Sequence, residues 1–156
     1  LECMRKQLAA DVGALVPRVD AAIVCFHWGK EGSQEVRDYQ ITLAHQSIDL
    51  GARAVLGSHP HRLQAIEVYR GAPVFYSLGN FVFGGNKDPQ DKLSMIARLE
   101  LTRSGVVGAE IVPIQITRWP EAPFQPFALE GEARAAALAR IAELSAGFPE
   151  TLPSLR

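Results

Sequence analysis

The chain has 156 residues, of which 47% are hydrophobic and 21% charged, with a formal net charge of −1 at pH 7. That length and composition suit one folded domain with a real core and exclude a disordered chain. Its basic residues are scattered, Arg5-Lys6 being the one adjacent pair, so nucleic acid is not an expected partner.

Met4, Leu8, Val12 and Leu15 recur at helical spacing and predict an amphipathic helix over 2–15, stopped by Pro17. The residues before it are not a basic stretch followed by an apolar one, and the chain does not begin with Met, so it reads as a portion of something longer. Val19 to Phe26 is a short apolar run rich in β-branched residues. Its near-continuous hydrophobicity predicts a strand covered on both faces, with Cys25 as a buried free thiol. Cys3 and Cys25 have no metal-ligand spacing, and a disulfide between them remains an open alternative.

A polar segment, His27 to Gln34, leads into a second predicted helix over 35–50, which Gly51 ends. Ala52 to Gly57 is a second buried strand, so strand, helix and strand form a parallel βαβ unit. Leu63 to Tyr69 and Val74 to Ser77, joined at Arg70-Gly71-Ala72, predict a β-hairpin; Met95 to Thr102 and Val106 to Ile116 predict a longer one. Residues 119–127 hold three prolines and read as a loop, and an alanine-rich helix follows over 132–144. The fold class is α/β: a mixed sheet, with a parallel βαβ unit followed by antiparallel hairpins. No apolar run approaches the roughly 20 residues that span a bilayer, so this chain carries no expected membrane segment.

Three of the four histidines stand where a strand gives way to a loop: His27 after the first strand, His59 and His61 after the second. Open α/β sheets bind ligands at the carboxyl ends of their strands, and neighbouring parallel strands end at one edge. The spacing therefore brings His27 toward His59 and His61. Pro60 favours an extended His59, and in an extended chain residues i and i+2 point to one side. Two imidazoles so placed can meet at one ion or serve two neighbouring ions, and neutral imidazole suits zinc, manganese and iron. The alternative for each is a solvated or backbone-bonded histidine. His45 falls mid-helix and reads as structural or as support for a ligand.

Phe26-His27-Trp28-Gly29-Lys30-Glu31, Gly57-Ser58-His59-Pro60-His61 and Tyr76-Ser77-Leu78-Gly79-Asn80-Phe81 resemble the successive motifs of the CapA family, with Ile48-Asp49-Leu50-Gly51-Ala52 between them. These bacterial poly-γ-glutamate capsule synthesis proteins are related to the calcineurin-like metallophosphoesterases. The likeness is close over residues 19–84 and looser elsewhere. It implies the C-terminal half of an αββα sandwich and a divalent metal cofactor (Mn, Fe or Zn), dinuclear only in the full-length domain. By the same resemblance His27 and His59 share one ion and His61 serves its neighbour. Glu31 and Asn80 are the catalytic candidates. Glu31 supports a ligand or meets substrate, or else is an exposed loop carboxylate; Asn80 orients a ligand or substrate, or else is a turn residue. Trp28 walls the site or belongs to the core.

The superfamily's Asp-x-His and Asn-His motifs are absent from this sequence. The carboxylate half of the metal site is thus expected outside residues 1–156, which form a single domain portion in this reading. The implied partners are an anionic polymer or phosphoester substrate and, through an exposed sheet edge, a second copy by dimerisation or domain exchange. A non-catalytic scaffold in envelope polymer synthesis or export, or an inactive fragment, is the competing reading. The family points to the cell envelope or cytoplasm without choosing.

Overall fold

The computed structural model describes residues 1–86 and 88–155. Helix α1 spans Glu2–Leu15 and runs into a 3-10 turn at Val16–Arg18, where Pro17 removes a donor that a continuing helix needs. Half of its predicted apolar stripe is used: Val12 is buried and Leu8 packs on the core, whereas Met4 and Leu15 face solvent. The helix is tied to its neighbour by Arg5 Nε donating to Gln46 Oε1 (3.0 Å) and Gln46 Nε2 donating to the Arg5 carbonyl (2.9 Å).

The βαβ unit is β1 (Ile23–His27), α2 (Asp38–Asp49) and β2 (Ala54–Ser58), the two strands parallel and in register from Ile23↔Ala54 to His27↔Ser58. Helix α2 begins three residues later than the sequence predicts, because Gln40 Oε1 accepts from Arg37 N and closes the first turn from inside. The first hairpin is β3 (Ile66–Tyr69) and β4 (Ala72–Phe75), turned at Arg70 and Gly71 with φ of 51° and 78°. Two consecutive positive φ values are what a two-residue loop matched to strand twist needs. Strand β4 inserts beside β2, parallel to it, giving a mixed sheet of order β1-β2-β4-β3.

The second hairpin, β5 (Leu93–Thr102) and β6 (Gly105–Gln115), joins the short β7 (Phe127–Ala128) in a separate antiparallel sheet of order β5-β6-β7. Two sheets meet the two-layer expectation of the resemblance. Helix α3 (Gly131–Ser145) is anchored by Ile141 and by Ser145, whose hydroxyl accepts from Ile66 N at 2.9 Å. One core unites Trp28, Leu43, Ala44, Val55, Val74 and Tyr76 between the first sheet and α2. Another unites Leu63, Ile66, Phe75, Met95, Ile111 and Ile141 where the two sheets and α3 meet.

Two expectations fail at β1. The strand is not covered on both faces: Val24 and Phe26 pack on the α2 side, but Ile23, Cys25 and His27 are exposed. Cys25 is therefore an exposed thiol, and both cysteines are free. The cause is position. Strand β1 lies at the end of its sheet, and the sheet-to-sheet core draws on β3, β4, β5 and β6 but not on β1. Among the described residues its outer edge has no strand partner. No helix of the described residues is long and apolar enough to cross a membrane.

Candidate metal centre

Three parallel strands end together, and each delivers a site residue there. Strand β1 ends on His27, β2 runs directly into His59-Pro60-His61, and the chain leaving β4 reaches Asn80 five residues on. Because His27 is in register with Ser58, its ring meets that of the next residue, His59, at a centroid separation of 4.5 Å. The His59 and His61 rings are 6.2 Å apart. The backbone route to that arrangement differs from the extended one predicted. His59 has φ 99° and His61 φ 56°, both on the side of the map that non-glycine residues rarely occupy, although histidine enters it more readily than most. The restriction that Pro60 places on its predecessor is met here by a left-handed turn rather than an extended link. Such strain persists only where surrounding contacts impose it. Here they include buried Pro60, whose carbonyl accepts from Gly32 N at 2.8 Å, and Trp28 N donating to the Ser58 carbonyl at 3.0 Å.

Asn80 is engaged with a histidine. His61 Nδ1 lies 2.7 Å from Asn80 Oδ1, so this ring nitrogen donates, which in a neutral imidazole leaves the lone pair on Nε2. Phe83 packs on the same imidazole at 4.7 Å between centroids. Glu31 is exposed and shares a cavity of about 460 Å³ with His61 and Asn80. Its loop is fixed from below by a buried amide chain: Gln40 Nε2 donates to Gln64 Oε1 (3.0 Å), and Gln64 Nε2 donates to the carbonyls of Glu35 (2.7 Å) and Ser33 (3.3 Å). Tyr39 Oη accepts from Gly29 N at the other end of that loop. Among the described residues, no group of three or more His, Cys, Asp or Glu side chains is arranged to hold an ion.

Trp28 belongs to the core, 5% exposed, stacked on Phe26 at 4.3 Å and donating from Nε1 to the Tyr76 carbonyl at 2.8 Å. His45 is structural. Its Nε2 sits 3.0 Å from both oxygens of buried Glu67, which also accepts from Tyr76 Oη at 2.6 Å, while its ring stacks on Tyr69 at 3.7 Å. Burial, then the Glu67 hydrogen bond and charge, push the Tyr76 phenol far above its ordinary range. Sequence reasoning did not single out Arg62 or Asp91, which line the same cavity as Glu31. Arg62 follows His61 directly, and that adjacency was the available signal.

Residues 2–85 match the family model described as bacterial capsule synthesis protein PGA_cap. The chain is 37% identical over 131 residues to the PGA biosynthesis protein CapA of Bacillus subtilis, covering 79% of this chain and 34% of that protein. It is 33% identical over 115 residues to the capsule biosynthesis protein CapA of Bacillus anthracis, covering 74% and 28% respectively. A probable polyglutamine synthesis accessory protein of Mycobacterium tuberculosis is 27% identical over 106 residues, covering 64% and 28%. The chain thus spans about a third of the length of the two CapA relatives. With a model match over more than half of its residues, and with the matched stretch holding His27, His59, His61 and Asn80, the chain belongs to the bacterial capsule synthesis protein family.

Proposed function

We propose that this chain supplies the histidine half of a metallophosphoesterase-like site in a protein of poly-γ-glutamate capsule synthesis, and that the complete domain is a metal-dependent hydrolase. The single observation that carries this reading is the 4.5 Å approach of the His27 and His59 rings. With ligand distances near 2.0–2.1 Å, two imidazoles sharing one ion hold their ring centres about 4.5–5.2 Å apart. The 6.2 Å between His59 and His61 is too wide for that angle and suits a ligand of a neighbouring ion. The donor set fits as well: His61 has its tautomer fixed by Asn80, as ligating histidines generally have. When bound, manganese, iron or zinc would supply Lewis acidity toward a phosphoester or related bond and acidify water. His27, His59 and His61 hold position, Asn80 orients His61, and Glu31 faces the substrate cavity. The carboxylates needed between two cations belong to the rest of the domain, and the open edge of β1 is where that part, or a second copy, would pair.

A non-catalytic scaffold for the polymer is the second reading. Metal content by mass spectrometry separates the readings when the full-length protein is compared with its His27→Ala, His59→Ala variant. The hydrolase reading expects divalent metal in the parent and its loss in the variant. Equal content in both removes the ligand assignment.

A further inference from the structure

The cavity beside His61 is lined by Glu31, Arg62, Asn80, Asn86, Gln90 and Asp91, and its volume of about 460 Å³ lies within the range of small-ligand sites. Its charges are distributed unevenly. Arg62 Nη1 lies 3.0 Å from Asp91 Oδ2, and Asp91 Oδ1 accepts from Leu93 N at 3.1 Å, so the start of β5 holds the carboxylate and the carboxylate holds the guanidinium. Both side chains remain partly open, at 30% and 23%. A guanidinium carries five N–H donors, and Asp91 engages it through one nitrogen, so donors remain for a second carboxylate. Glu31 adds a negative charge that this pair does not neutralise. Asn80 spends its carbonyl oxygen on His61 and keeps its amide N–H groups to donate. A lone anion would be attracted by Arg62 and repelled by Glu31 and Asp91; a simple cation would gain nothing from Arg62. A ligand that carries both a carboxylate and an ammonium satisfies both.

We propose that this cavity binds the zwitterionic amino-terminal residue of a γ-linked glutamate chain, its α-carboxylate on Arg62 and its α-ammonium on Glu31. In such a chain every residue has a free α-carboxylate, but the first residue alone also has a free α-ammonium. The cavity therefore reads the chain end and presents the adjoining bond beside His61. Asp91 is a positioning residue that fixes the guanidinium. The inference rests on the polymer being the ligand of the proposed site, but it requires neither bound metal nor turnover.

Calorimetric titration with γ-glutamylglutamate in the presence of a chelator tests it, alongside the N-acetylated dipeptide, free glutamate and inorganic phosphate. The dipeptide should bind at least about tenfold more tightly than its acetylated form or phosphate, given the strength of charge-assisted contacts. Arg62→Gln should weaken the dipeptide by about tenfold or more, with Arg62→Lys between the two. Glu31→Gln should remove the preference for the free amine and spare the rest. Equal affinity for the acetylated dipeptide or for phosphate overturns the proposal, as does failure of the dipeptide to saturate the unaltered chain. Equal binding of free glutamate overturns the chain-end assignment. Loss of metal binding in the histidine variants would leave these titrations unchanged, so the two readings fail separately.

Discussion

Gly57 is where the site and the core depend on one missing atom. A Cβ at this position would coincide with the Tyr76 carbonyl and lie 2.5 Å from Trp28 Nε1, the two groups that hydrogen-bond to each other at 2.8 Å. Gly57→Ala must therefore push β2 from the chain leaving β4, or break that bond and orphan two buried polar groups. Overpacking costs about 1–3 kcal/mol, and a buried unsatisfied donor or acceptor about 1–3 kcal/mol. Separation of the strands alone predicts a loss of about 1–3 kcal/mol, and a broken bond with two orphaned groups about 2–6 kcal/mol. At about 2–4 °C per kcal/mol for a chain of this size, Tm should fall by at least about 2 °C. Urea denaturation and calorimetry measure both quantities. Gly13→Ala is the control: it lies inside α1 with nothing within 4 Å of the added carbon, and should gain about 0.5–1 kcal/mol. If Gly57→Ala proves as stable as the parent to within about 0.5 kcal/mol, the close approach argued here is wrong.

Asn80→Ala frees the His61 tautomer, and loss of such a partner lowers metal affinity about 10–100-fold in any form of the protein that binds metal; equilibrium dialysis reads it. Gln64→Ala removes a fully buried amide that holds the Glu31 loop, and should cost about 1–3 kcal/mol and speed hydrogen exchange between Gly29 and Glu35. Tyr76 has its phenol pKa raised on folding above the ordinary 10.0, so the folded state favours the neutral form. The stability this contributes is complete below pH 10 and declines as pH rises beyond it, and Tyr76→Phe should flatten that decline in denaturation curves taken across the alkaline range.

The strand ends were legible in the sequence because the apolar runs before His27 and His59 are short, β-branched and joined by one helix. Parallel pairing of such strands leaves their carboxyl ends side by side, and register does the rest. What surrounds a strand was not legible. Ile23 to Phe26 is as hydrophobic as a central strand, yet its outward face is bare, because hydrophobicity records what a residue tolerates and not which neighbours arrive. The turn at His59 was misread for a related reason. Pro60 restricts its predecessor away from the right-handed helix, and the sequence did not reveal that a left-handed turn would satisfy the same restriction. The pairing of His45 with Glu67 joins positions 22 apart in sequence across a helix and a strand, and no local pattern announces it.

Gly32 N and the Pro60 carbonyl, 2.8 Å apart, tie two segments that lie far from each other along the chain. The tether makes the carboxylate-bearing bend and the imidazole-bearing bend a single mechanical unit, seated on one amide pedestal. A substitution that loosens either bend thereby unseats the other, so the conformation of residues 29–35 and the turn at His59 and His61 stand or fall through one peptide contact.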